Sequence, residues 1–136
     1  MPGFEVFGKE EQDAINDLFE KIKLQEDWYP KLKEFCNEAG IIMMSSPTYI
    51  ESIEHLEKID VPAYKIASAQ FGFHLPLIQK AASKGKPMII STGLSELYEI
   101  DRAVKTIEEA GNNQITILQC VATYPPEDGD VNLNNI

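Results

Sequence analysis

A lysine stands inside an apolar run, Pro62-Ala63-Tyr64-Lys65-Ile66, which ends in Ala67-Ser68. Small hydroxyl residues close other apolar runs: Ser45-Ser46-Pro47-Thr48 follows Ile41-Ile42-Met43-Met44, and Ser91-Thr92-Gly93 follows Pro87-Met88-Ile89-Ile90. A further run, Ile115-Thr116-Ile117-Leu118, leads into Gln119-Cys120 and then Tyr124. An ammonium group among apolar neighbours needs a counter-charge or several acceptors. Hydroxyls from separate segments each donate a short hydrogen bond to an anion, while the lysine supplies the charge. The chemistry open to this combination is the holding of a phosphate or carboxylate, with Ser46, Lys65, Ser68 and Ser91 as its candidate ligands. Taken singly, each hydroxyl is also explained as a helix cap, and a strand-end lysine can run its stem out to solvent. Lys65 resists that plainer explanation, because Tyr64 and Ile66 flank it on both sides.

Other reactive residue types read as structural. His55 and His74 fall on or near predicted helices and share no metal-ligand spacing with each other or with a cysteine. Cys36 suits a core position on its helix. Cys120 stands where it could line the pocket, but no base adjoins it in the sequence, so thiol catalysis is not expected. Glu51, Glu54 and Glu57, and likewise Glu108 and Glu109, read as solvated helix faces with lysine neighbours. Asp128 and Asp130 belong to a polar tail.

The elements that position these residues follow from the same runs. They recur at roughly 20 to 30 residues, the length of a βα unit. Being apolar on consecutive positions, they fit parallel strands covered on both faces. Ligands of parallel α/β folds bind beyond the carboxyl ends of the strands, where the hydroxyls lie. Between the runs, Thr48 and Glu51 have capping-box spacing ahead of Ile50, Ile53 and Leu56. Pro76 suits an early helical position before Leu77, Ile78, Ala81 and Ala82, with Gly85 as the stop. Leu97, Ile100, Ala103, Val104 and Ile107 mark one face of a helix ended by Gly111. Upstream, Trp28, Leu32, Phe35, Cys36 and Ala39 mark a helix ending at Gly40, and Ala14, Ile15, Leu18, Phe19 and Ile22 a weaker one. Residues 1–24 are therefore expected to be an N-terminal helical segment, 25–124 the βα units and 125–136 a loop.

Composition narrows the function classes. Twelve Lys and Arg against 22 Asp and Glu give a net charge of -10, which excludes a surface built to track nucleic acid. An anionic substrate then needs a local basic pocket. Two cysteines without close spacing point to a reducing cytoplasm, no stretch is long and apolar enough to cross a bilayer, and the N-terminus lacks the order of a signal peptide. At 136 residues the chain is one domain, well short of the roughly 250 of a closed (β/α)₈ barrel.

Four segments, in order, carry a family resemblance: Ser45-Ser46-Pro47; Pro62 through Ser68; Gly85-Lys86-Pro87-Met88-Ile89-Ile90-Ser91-Thr92-Gly93; and Cys120 through Tyr124-Pro125 with Asp130-Val131-Asn132-Leu133. Together they resemble the N-acetylneuraminate (sialic acid) synthase family, including its spore-coat polysaccharide relatives, from about Leu18 onward. The resemblance implies a fragment of a TIM barrel, a partial (β/α)₈ wall of about four parallel strands alternating with helices. It implies a parent enzyme that condenses phosphoenolpyruvate with an N-acylated aminohexose, such as N-acetylmannosamine, to a nonulosonic acid and phosphate. In that reaction C3 of phosphoenolpyruvate attacks the open-chain aldehyde, water adds at C2, and phosphate leaves by C–O cleavage. Mn²⁺ or Mg²⁺ polarises the aldehyde. Lys65 matches the lysine that holds phosphoenolpyruvate, Ser46, Ser68 and Ser91 its hydroxyl partners, and Tyr124 a tyrosine near the sugar acceptor; Lys65 and Tyr124 are the catalytic candidates.

The pattern also departs from the family. Ala69-Gln70 replaces a common Gly-Glu, Gln119 a histidine, and Ala122 a polar residue of the acceptor side. The resemblance places the metal ligands outside this chain, along with the first strands and an antifreeze-like domain that supplies an arginine within a swapped dimer. A chain of this length is accordingly expected to be inactive alone. The alternative reading is a non-catalytic truncated barrel acting as an anion-binding or assembly module. Another phosphoenolpyruvate- or phosphosugar-binding barrel shares the pocket logic but not the motif order. Unpaired sheet edges lead to a further expectation, a homo-oligomer formed by edge pairing or exchange of elements.

Overall fold

Apolar runs of consecutive residues, separated by amphipathic stretches, fold as strands between helices. A computed structural model describes residues 8–68 and 74–135. The elements are α1 (Lys9–Ile22), α2 (Trp28–Glu38), α3 (Ile50–Lys58), β1 (Tyr64–Ile66), α4 (Leu75–Ala82), β2 (Met88–Ser91), α5 (Leu97–Glu109) and β3 (Ile115–Leu118). Two 3₁₀ turns, Asp128–Asp130 and Leu133–Asn135, lie in the tail. Among the described residues no helix is long and apolar enough to cross a membrane.

The three strands pair in parallel in the order β1-β2-β3. Tyr64 aligns with Met88 and Ile115, Lys65 with Ile89 and Thr116, and Ile66 with Ile90 and Ile117. Because side chains alternate along a strand, each row of partners shares a face. Tyr64, Ile66, Met88 and Ile90 are completely buried in the core with Ile53 and Leu56 of α3, Leu77 and Ile78 of α4, and Ala103 and Ile107 of α5. Each of the leucine, isoleucine and methionine side chains among them contributes about 1.5–3 kcal/mol by leaving water. Lys65 and Ile89 point to the opposite face and are only half-buried. Sequential strand order without reversal is that of a barrel wall; a doubly wound sheet reverses at its switch point.

The first run makes less of a strand than its composition suggests. Ile41–Met44 carries no ladder, and Ser45 alone bridges to Tyr64 in parallel on the free side of β1. Continuing that register would set Pro47 opposite Ile66, and proline has no N–H to extend the ladder. Ile42 is 75% exposed.

The helix ends show which local signals count. The expected Thr48–Glu51 box does not form: the cap is Tyr49, extended at φ -145, and the Ser52 hydroxyl donates to its carbonyl at 2.5 Å. This one-residue slip leaves Glu51 a position too early to reach back to the cap. At α4, Pro76 sits in the first turn and His74 is the cap, its Nδ1 accepting the Leu77 N–H at 3.1 Å. Gly85 and Gly111 close α4 and α5 at φ 70 and 83, where a side chain would be strained. On α5, Ala103 and Ile107 are buried, but Leu97 is 84% exposed in the first turn. No residue of α1 or α2 is buried, so the expected apolar face of Trp28, Leu32 and Phe35 is uncovered among the described residues.

Polar clamps brace the amino ends of the strands. The Tyr64 hydroxyl donates to Glu57 at 2.7 Å, and Lys86 bridges Glu57 and Asp60 at 2.9 Å each. Burial, and then the Glu57 carboxylate, push the Tyr64 hydroxyl far above its usual range. Burial works against the charge of Glu57, yet Lys86 and the Tyr64 hydroxyl outweigh it and hold the carboxyl below its ordinary value. Glu57 is thus half-buried and engaged rather than simply solvated. Buried Asn112 donates to the Lys86 carbonyl at 2.8 Å and accepts the Gln114 N–H at 2.9 Å, tying the turn before β2 to the turn before β3.

Candidate functional site

The carboxyl ends of the strands gather the polar groups. Lys65, directed away from the core by the alternation of β1, lies diagonally across from Ser91, which shares its face two residues beyond Ile89. Its Nζ donates to the Ser91 hydroxyl oxygen and, at 3.1 Å, to the Ile66 carbonyl. Ser91 is itself buried. Thr92 follows with a different job: its N–H and hydroxyl both donate to the Leu118 carbonyl, at 3.3 and 3.1 Å, and extend the β2–β3 pairing beyond the last strand residue.

Ser68, just past β1, accepts the Gly93 N–H at 3.2 Å and lies 3.4 Å from the Cys120 sulfur. Three strand ends therefore converge on one point. A Cβ added at Gly93 would stand 3.1 Å from Cys120 Sγ and 3.2 Å from both Cys120 O and Ser68 Oγ, closer than ordinary contact. Burial opposes ionisation of the Cys120 thiol, but the polar groups around it, the Ser68 hydroxyl first and then the Gly93 and Thr92 amides and the Ser91 hydroxyl, prevail and lower it below an ordinary thiol. An open cleft lined by Thr92, Gly93, Ser95, Leu97, Gln119 and Cys120 adjoins this point.

Of the residues singled out in the sequence, Lys65 and Ser91 are in direct contact, and Ser68 meets Cys120 and the Gly93 N–H. Ser46 is half-buried, beside the Ser45 bridge at the edge of β1. Tyr124 is 92% exposed and precedes a cis peptide to Pro125. Ala69 and Gln70 lie outside the described residues. Sequence reasoning placed Cys120 where it could line the pocket but gave Gly93 no part in shaping it. The signal was present in Ser-Thr-Gly closing one run and Cys closing the next, but contact between strand ends is a tertiary fact. His55 lies 3.5 Å from Glu26 and His74 caps α4. Among the described residues no three His, Cys, Asp or Glu side chains form a donor set, so these residues do not fit a divalent ion. The chemistry on hand is that of one ammonium and several hydroxyls, a set suited to an anion.

A family model described as the NeuB family matches residues 3–136. An uncharacterized protein of Methanocaldococcus jannaschii is 42% identical over 120 residues, 88% of this chain and 35% of that protein. A pseudaminic acid synthase of Helicobacter pylori is 33% identical over 90% of this chain and 36% of its own length. Among solved structures, an N-acetylneuraminic acid (sialic acid) synthetase of Leptospira borgpetersenii, in complex with citrate, superposes with a TM-score of 0.83 at 29% identity, covering 97% of this chain and 45% of that one. The chain thus spans about a third of the length of the curated relatives it matches. With this likeness the three parallel strands and their helices are part of a (β/α)₈ barrel wall.

Proposed function

The chain belongs to the NeuB family, and from that premise we propose that its strand-end pocket holds phosphoenolpyruvate for condensation with an N-acylated aminohexose, such as N-acetylmannosamine, to a nonulosonic acid and phosphate. The observation that carries this reading is the contact of Lys65 with Ser91 on the face turned away from the core. The ammonium neutralises the anion, and Ser46, Ser68 and Ser91 supply hydroxyl donors at neighbouring strand ends. Tyr124 is assigned to the acceptor side, where its exposed ring is free to meet a sugar. In the complete enzyme the divalent ion, Mn²⁺ or Mg²⁺, would supply the polarisation of the aldehyde. Two free cysteines accord with work in a reducing cytoplasm.

A second reading, a non-catalytic anion-binding or assembly module, draws support from the outer strand: Ile117 is 50% exposed and the far edge of β3 has no partner among the described residues. Under either reading the chain associates through that edge or by exchange of elements.

Calorimetry with phosphoenolpyruvate on the wild type and on Lys65→Ala tests the pocket. Binding by the wild type that is lost in the variant supports it. Absence of binding by the wild type rules out an intact anion site.

A further inference from the structure

Both serines of the pocket already accept a hydrogen bond, and the donor to Ser68 is fixed in the backbone. Ser91 accepts from the Lys65 ammonium, and Ser68 accepts from the backbone N–H of Gly93. Each serine therefore has one hydroxyl hydrogen left to give. The sulfur of Cys120 lies 3.4 Å from the Ser68 oxygen. An anion in the pocket needs the same hydroxyl hydrogen of Ser68. Sulfur and ligand are thus rivals for one donor.

Resting on the phosphoenolpyruvate reading above, we propose that Cys120 is the positioning residue of this pocket: its protonation decides whether Ser68 aims its hydroxyl hydrogen at a bound anion or at the sulfur. A neutral thiol accepts weakly and can give its own S–H to Ser68, which frees the serine hydrogen for the ligand. A thiolate accepts strongly, turns the Ser68 hydroxyl toward itself, and adds a negative charge beside the anion. The charged group facing this cluster from β1 is Lys65, behind Ser91. The cleft beside Cys120 is lined from β2, α5 and β3 by Thr92, Gly93, Ser95, Leu97, Ile100 and Gln119, none of which titrates. Glu99, at the head of α5, turns its carboxylate onto the Glu96 N–H. Among the described residues lining this cleft, Cys120 is then the group that changes charge as the solution becomes mildly alkaline.

The test is the affinity for phosphoenolpyruvate from about pH 7 to about pH 9.5, a range that spans an ordinary thiol, lies below an ordinary lysine, and leaves the ligand's phosphate fully ionised. Wild-type affinity should fall about tenfold as pH rises, while Cys120→Ser, which keeps a donor and acceptor but cannot ionise, should change less than about twofold. Equal slopes in the two proteins, or a flat wild-type profile, would overturn the proposal. If the wild type binds no phosphoenolpyruvate at any pH, the binding reading fails and the serine–sulfur coupling is judged separately. Its measure is the pH profile of iodoacetamide alkylation at Cys120 in a Cys36→Ser background. Ser68→Ala should move that profile to higher pH, because the thiolate loses a donor, and an unmoved profile would reject the coupling.

Discussion

Lys65 of β1 and Ser91 of β2 are joined by a hydrogen bond that spans 26 residues of sequence. The parallel register makes the contact possible by setting Lys65 opposite Ile89, so that Ser91 is the next residue on the same face. Replacing Lys65 with Ala removes the pocket's cation. The loss of one charge-assisted contact, about 1.5–3 kcal/mol, corresponds to a drop of roughly 10- to 100-fold in phosphoenolpyruvate affinity. Thermal unfolding of the variant should stay close to wild type, which separates loss of ligand from loss of fold.

Gly93 should tolerate no side chain without a cost to binding. In Gly93→Ala the new methyl meets Cys120 and Ser68 together, and one of them must shift by a few tenths of an ångström. An affinity loss of about fivefold or more, by calorimetry, is expected alongside faster alkylation of Cys120.

Acid should weaken the clamp at the other end of the strands. The Glu57 carboxyl is held below its ordinary value, so it stabilises the fold above the unfolded-state value near pH 4.3 and stops doing so as pH falls through its folded value. Glu57→Gln should therefore be less stable than wild type at pH 7, by about 1 kcal/mol. Urea unfolding should show the two proteins converging once the pH is well below about 4.

Asn112→Ala removes the donor to the Lys86 carbonyl and the acceptor of the Gln114 N–H in a buried setting. A loss of about 1–3 kcal/mol by denaturant unfolding is expected, with phosphoenolpyruvate binding unchanged when folded.

Association through the outer strand would be broken by charge. Ile117→Lys should lower the mass seen by size-exclusion chromatography with light scattering, as lysines do on natural sheet edges. A wild type that stays monomeric at high concentration would count against association.

How much of this was legible beforehand depended on the range of the signal. Leu77, Ile78, Ala81 and Ala82 were readable as a buried face because a helical period and two local stops, Pro76 and Gly85, agreed. Ile41–Met44 misled because apolar composition reports a wish for burial, whereas a ladder needs partner N–H groups that Pro47 lacks. Thr48 misled by a single residue, the scale at which helix starts are set by neighbouring packing. Trp28, Leu32 and Phe35 showed a helical period correctly but could not show that their face lies uncovered. In the site, Lys65 was conspicuous for being charged in an apolar run. Cys120 and Gly93 were not, because their meeting with Ser68 depends on how three strand ends close in space.

Tyr64 and Lys65 are adjacent in sequence yet answer to different events, since the alternation of β1 sends one into the helix layer and the other to the pocket. The tyrosine, sealed against Glu57, gives an internal gauge of whether the core is intact through the absorbance of its hydroxyl at high pH. The lysine next to it, read by ligand titration, gives a gauge of the pocket alone. A single strand of three residues thereby carries its own control, and a variant that silences one gauge while sparing the other identifies which side of the sheet it has reached.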